Sequence, residues 1–181
     1  CQVWLNGVWL GSHRGGFVPF RFDVTASARP RGNRLVVHVR DTLRKDQVRG
    51  KQYYLPKPES VFYERTTGIW QDVWLEVLPA SHIDKLCVKP LLQQSAFEIR
   101  TLAQGVCPGQ QIEGKIYDNA GICVAHFNGA LNMAQHRALV EVPHAHPWTP
   151  QTPYLYTIEV RLCGSDCVRT RCGLREIQVR E

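Results

Sequence analysis

Val3-Trp4-Leu5-Asn6-Gly7-Val8-Trp9-Leu10 sets Asn-Gly between two apolar runs. Asn-Gly is the dipeptide that most readily takes the paired positive backbone angles of a type I′ turn, so the stretch predicts a β-hairpin in which Leu5 faces Val8 and Trp4 faces Trp9. Further along, Phe20, Phe22 and Val24 alternate with Arg21 and Asp23, the pattern of a half-buried strand. After a turn at Pro30-Arg31-Gly32-Asn33, Leu35, Val37 and Val39 alternate with Val36, His38 and Arg40 and predict another. Val73, Leu75 and Val77 share one face of a strand beginning near Ile69. Between Asp41 and about Thr67 regularity is lost. A connection longer than about 15 residues is uncommon unless it is functional or disordered, which makes this loop the leading site region.

Leu78-Pro79-Ala80-Ser81 reads as a linker, giving two domains, 1–79 and 82–181. In the second, short apolar alternations recur at Leu86 and Val88, Phe97 and Ile99, Ile112 and Ile116, Ile122 and Val124, Leu139 to Val142, Tyr154 to Leu162, and Val168 to Cys172, with turn signals at Pro108-Gly109 and Asp118-Asn119-Ala120-Gly121. About seven short strands in about a hundred residues fit an immunoglobulin-like sandwich. The fold class is therefore all-β, with helix receiving little support from the periodicity.

A chain of 181 residues, 44% hydrophobic and 21% charged, has the composition of an ordinary globular protein able to bury a core. No apolar run approaches the roughly 18 residues of a membrane span, so no membrane partner is expected. The formal net charge of +6 is carried by dispersed basic residues in turns and loops. Without a docking helix or an aromatic-studded basic stripe, nucleic acid is not an expected partner. The seven cysteines have no regular spacing and read as free thiols, although Cys163 and Cys167, flanking Gly164-Ser165-Asp166, are placed to face each other across a hairpin. His144-Ala145-His146 has the alternation with which a strand presents two ligands to a metal, but Pro143 and Pro147 favour a loop. No metal and no cofactor is expected. The chain opens on a strand pattern without Met or the basic and apolar regions of a signal peptide, and so reads as an internal piece of a longer polypeptide.

The ordered series Val-Trp-Leu-Asn-Gly, Gly11, Arg14-Gly15-Gly16, Pro19-Phe20 and Phe22-Asp23-Val24-Thr25 continues through Gly32-Asn33-Arg34-Leu35-Val36-Val37 and Gly50-Lys51-Gln52. It reaches its most specific part in Tyr63-Glu64-Arg65-Thr66-Thr67-Gly68-Ile69-Trp70-Gln71-Asp72-Val73-Trp74-Leu75-Glu76. This series resembles the sugar-binding jelly roll of the family 2 glycoside hydrolases, the β-galactosidase, β-mannosidase and β-glucuronidase group. Trp148-Thr149-Pro150-Gln151-Thr152-Pro153-Tyr154-Leu155-Tyr156 and Cys172-Gly173-Leu174-Arg175-Glu176-Ile177 resemble the end of the family's sandwich domain. The resemblance implies a partial, galactose-binding-like jelly-roll β-sandwich followed by an immunoglobulin-like β-sandwich. It also implies that several jelly-roll strands belong upstream of Cys1 and that the barrel carrying both catalytic glutamates belongs after Glu181.

A retaining glycosidase needs two carboxyl groups about 5 to 5.5 Å apart, and the sequence offers no credible pair, so no catalytic residue is assigned. What the resemblance implies instead is recognition, because the family's loop before the Gly-Ile strand reaches the barrel mouth. Where several relatives carry an aspartate six residues before that glycine, this chain has Phe62, and Glu64 is the nearest carboxylate. The candidate sugar contacts are Glu64, Arg65, Lys51, Gln52, Tyr63 and Trp70. Ion pairing, loop anchoring and core packing are their competing roles. The implied function is the non-catalytic part of an enzyme acting on O-glycosidic bonds of β-linked sugars, with carbohydrate as partner through the barrel. A free-standing carbohydrate-binding module and a β-sandwich interaction protein are the alternatives. Unpaired strand edges also predict self-association into a homo-oligomer.

Overall fold

In the computed structural model, which describes residues 1–48 and 50–179, the chain divides into two compact units, Cys1–Trp74 and Leu75–Glu181. The first contains an antiparallel sheet of β1 (Gln2–Leu5), β2 (Val8–Ser12) and β3 (Leu35–His38), with β1 in the middle. Asn6 and Gly7 hold φ of 54° and 86°, and the turn they make pairs Trp4 with Trp9 and Leu5 with Val8, the register read from the sequence. Alternation along β1 sends Val3 and Leu5 to a buried face and leaves Trp4, with its cross-strand neighbours Trp9 and Val36, on the other.

Two expected strands do not form. Phe20 to Val24 and Ile69 to Val77 carry no strand ladder, and Leu75 and Val77 are 72% and 94% exposed. Alternation specifies which face a side chain takes. A strand also needs a neighbouring strand to complete a ladder, and neither segment is part of a ladder among the described residues.

The second unit has seven strands in two antiparallel sheets. One holds β4 (His82–Leu91), β5 (Ala96–Gln104) and β8 (Gln135–Glu141), in the order β4-β5-β8. The other holds β6 (Gln111–Tyr117), β7 (Cys123–Ala130), β9 (Tyr156–Leu162) and β10 (Asp166–Cys172), in the order β10-β9-β6-β7. Each of the seven expected alternations overlaps one of these strands, with Ile122, Val142 and Tyr154 falling just outside the strand ends. The inward row of β9, Tyr156, Ile158, Val160 and Leu162, meets Phe97 and Ile99 of β5 and Ile112 and Ile116 of β6 in one buried cluster. Edge strands of opposite sheets approach each other, β10 against β4 and β7 against β8, and close the sandwich on both sides.

Each sheet also carries a nearly buried carboxylate on its outward face. Glu98 on β5 accepts from Arg100 on its own strand and from Arg137 on β8, the latter at 2.9 Å. Glu159 on β9 accepts from Arg161 at 2.8 Å and from Arg169 on β10 at 2.5 Å. These guanidinium partners, Arg137 then Arg100 for Glu98 and Arg161 then Arg169 for Glu159, hold both carboxyls below their ordinary range against the opposing effect of burial.

The cysteines are free. Cys163 and Cys167 are not opposite each other: Cys167 pairs with Arg161, and the turn closes one residue earlier on Leu162 and Asp166. Nor do His144 and His146 project together, because His144 sits at φ 50° and the His146 ring lies 5.0 Å from that of Tyr154.

His136, on β8, stacks almost parallel on Phe127 of β7, centroids 5.6 Å apart. A side chain at Gly129 would collide with its ring. Its buried Nδ1 has no hydrogen-bond partner, and burial pushes the imidazole below the ordinary histidine value. The unfolded chain therefore takes up this proton first. The stability that neutral His136 contributes is present above about pH 6.5 and is lost as pH falls below it. Thermal melts between pH 7.5 and 5 are expected to show that decline, and His136→Phe should flatten it. Ile158→Ala, which empties a fully buried position, should cost about 2–5 kcal/mol in denaturant unfolding.

Candidate functional site

The loop from Asp41 to Thr67 is long and mostly exposed, yet it is anchored at its centre. Among the described residues of the loop, Tyr53 is the one large side chain that is buried, at 6% exposure. Its ring stacks on Phe62 with centroids 5.4 Å apart and touches Tyr54 at 5.6 Å. Its hydroxyl donates to Glu59 at 3.2 Å, and burial first, then that bond, pushes the phenol up. Lys45 caps the Tyr54 ring at 4.9 Å.

The backbone completes the anchor. Gln52 and Tyr63 form an isolated parallel bridge, in which the Tyr53 N–H donates to the Tyr63 carbonyl at 3.1 Å and the Tyr63 N–H to the Lys51 carbonyl at 2.9 Å. The Gln52 side-chain amide donates to the Thr66 carbonyl at 2.6 Å. Thr66 is adjacent to Arg65 and two residues from Glu64, so this bond positions the backbone that presents both charged side chains.

Glu64 and Arg65 line one cleft of about 440 Å³. Asp41 and Thr67 add polar walls, and Tyr53, Leu43, Leu55, Pro56 and Pro58 supply the apolar ones. Asp41, Tyr53 and Thr67 were not singled out from the sequence; the adjacent pair Tyr53-Tyr54 was the available signal. Lys51, Gln52 and Tyr63 build the bridge beside the cleft, with the Lys51 ammonium 6.0 Å from the Tyr63 ring centroid. Trp70 is elsewhere. Its indole N–H donates to the Gly16 carbonyl at 2.7 Å, tying the Gly-Ile segment to the Arg14-Gly15-Gly16 turn, and its ring is 67% exposed.

Chemically the cleft offers carboxylate acceptors, a forked guanidinium donor and an apolar wall. That combination suits a ligand with several hydroxyls on one edge and C–H groups on one face. Asp41 and Glu64 both lie exposed.

Residues 82–175 match the glycosyl hydrolases family 2. The chain belongs to this family. The matched span runs from the first strand of the second unit to just past its last, so the family 2 match lies on a sandwich whose buried carboxylates among the described residues, Glu98 and Glu159, are clamped by arginines. The whole chain, including the loop, aligns at 28% identity with a β-galactosidase of Thermoanaerobacter pseudethanolicus, of which it covers 25%. A β-glucuronidase of Felis catus is 26% identical over 99% of the chain, which covers 31% of that protein. A family 2 member from Bacteroides cellulosilyticus shares the fold, with a TM-score of 0.75 over 98% of this chain and 25% of its own, at 20% identity. The chain thus spans about a quarter of the length of the family 2 proteins it matches.

Replacing Tyr53 by Ala should open the loop, with a stability loss of about 3 kcal/mol and new protease cuts between residues 41 and 67. Gln52→Ala should cost about 1 kcal/mol and leave the fold intact. Limited proteolysis followed by mass mapping distinguishes the two.

Proposed function

We propose that this chain is the non-catalytic N-terminal portion of a glycosidase that cleaves terminal β-linked sugars, and that it supplies substrate recognition. Residues 1–79 are then the C-terminal part of a sugar-binding jelly roll, and residues 82–181 an immunoglobulin-like sandwich. The observation that carries the reading is the meeting of Glu64 and Arg65 in one cleft, on a loop held by a buried tyrosine. The names of the relatives, β-galactosidase and β-glucuronidase, support a β-linked sugar as the ligand.

The chemistry follows from the groups present. Carboxylates of Glu64 and Asp41 accept hydrogen bonds from adjacent sugar hydroxyls, and Arg65 donates to a ring or hydroxyl oxygen. The side chains of Leu55, Pro56 and Pro58 cover C–H groups of the pyranose. Such contacts orient a substrate and exclude water from one edge. They move no proton and form no covalent bond, which leaves cleavage to carboxyl groups outside this chain. Tyr63 and Lys51 contribute by holding the bridge rather than by reaching into the cleft, and Trp70 by fixing the Gly-Ile segment.

In the complete polypeptide, Glu64→Ala or Arg65→Ala removes a hydrogen bond between a charged group and a sugar, worth about 1.5–3 kcal/mol. The specificity constant should fall roughly tenfold to a hundredfold while the melting temperature stays within a degree or so of wild type. Unchanged kinetics in both variants would contradict the reading.

A further inference from the structure

The first unit has a second concave surface whose chemistry differs from that of the cleft. Residues 1–74 hold twelve Lys and Arg against six Asp and Glu, and residues 75–181 hold ten against ten, so the whole formal charge of +6 resides in the first unit. Part of that excess is placed by a specific polar scaffold. The Asn6 amide nitrogen donates to the Ser27 carbonyl at 2.8 Å and to Asn33 Oδ1 at 2.9 Å, and Asn6 Oδ1 accepts the Arg34 N–H at 2.9 Å. Asn33 Oδ1 also accepts the Arg29 N–H at 2.8 Å, and Asn33 Nδ2 donates to the Arg29 carbonyl at 2.7 Å. The Asn6 N–H donates to the Arg34 carbonyl at 2.9 Å.

The two asparagine amides are thereby spent on backbone, and they fix the main chain of Arg29 and Arg34 to the Asn-Gly hairpin. Neither guanidinium has a carboxylate partner among the described residues. Both line a cavity of about 550 Å³ together with Trp4 and Val36. Trp9 is the cross-strand neighbour of Trp4 on β2 and is 60% exposed.

We propose that this cavity is a binding site for an acidic oligosaccharide, one bearing carboxylate or sulfate groups. The indole floor stacks on the C–H face of a pyranose, and the two guanidinium forks, pre-positioned by the asparagine scaffold, take the anionic group at the ring edge. A carboxylate-rich peptide matches the charge but offers no rigid C–H face to the tryptophan. A nucleic acid strand needs a longer basic track than two arginines at one hairpin. The site shares no lining residue with the Glu64 and Arg65 cleft and stands or falls independently of it.

The test is titration calorimetry of the 181-residue chain at low salt with an oligomer of galacturonic acid, beside a neutral galactose oligomer of equal length, a polyglutamate peptide and a short single-stranded oligonucleotide. The uronate oligomer is expected to bind, with affinity falling as salt rises, and the neutral oligomer to bind at least tenfold more weakly. Only the backbone of Arg29 and Arg34 enters the scaffold, so Arg29→Gln and Arg34→Gln should keep the melting temperature while each weakens uronate binding about tenfold. Trp9→Ala should weaken it without altering its salt dependence. Absence of uronate binding, equal binding of the neutral oligomer, binding unaffected by both arginine changes, or tighter binding of the peptide or oligonucleotide would each overturn the proposal.

Discussion

Every backbone N–H and C=O taken from water into a sheet needs a partner on a neighbouring strand, and the two units meet that demand differently. In the second unit seven strands satisfy one another in two sheets, and their inward rows interlock in one buried cluster. The outward faces of the central strands β5 and β9 carry Glu98 and Glu159, each fixed between an arginine two residues on and one across the ladder. A carboxylate so placed costs little only while both arginines stay, so the pairs reinforce the register that the apolar alternation sets. In the first unit the ladder requirement is met by three short strands. Segments with strand-like alternation join no ladder there among the described residues, and large apolar side chains such as Trp9 and Val18 stay exposed.

That difference bears on what the first unit does. Its order comes from local devices rather than from a large core: the Asn6 and Asn33 amides, the Trp70 bond to Gly16, and the buried Tyr53 stacked on Phe62. Each device pins a loop that would otherwise lose no free energy by moving, and each leaves charged or polar side chains facing outward from a fixed backbone. A binding surface needs that combination, since ordering a flexible loop at the moment of binding subtracts from affinity.

The hairpin register was legible from Asn6-Gly7 alone, because few dipeptides tolerate two successive positive φ values. The seven strands of the sandwich were legible from period-two alternation, since a half-buried strand has no other way to place its apolar residues. Phe20 to Val24 and Ile69 to Val77 misled for the same reason: alternation reports a face and is silent about a partner. The expected facing of Cys163 and Cys167 failed by the placement of one turn residue, which in a hairpin shifts every cross-strand pair. Within the loop, Glu64 and Arg65 were found through the motif around them. Asp41 and Tyr53 come to the cleft from distant parts of the loop, through a ring stack and a bridge that no local pattern announces. Trp70, read as a sugar contact or a packed residue, is held through its indole N–H by a backbone acceptor 54 residues earlier.

We propose that this family 2 chain recognises a sugar and leaves the cleavage of its bond to groups outside it. Cleavage with retention requires two carboxyl groups about 5 to 5.5 Å apart, one kept protonated by its surroundings, and the carboxylates of the second unit that are buried are neutralised by arginines. The most direct measurement is the turnover of aryl β-galactoside, β-glucuronide and β-mannoside by the purified 181-residue chain at high protein concentration. The account predicts no rate above the uncatalysed background for any of the three. Turnover that disappears when Asp41 or Glu64 is replaced by its amide would contradict it and place a catalytic centre within the loop.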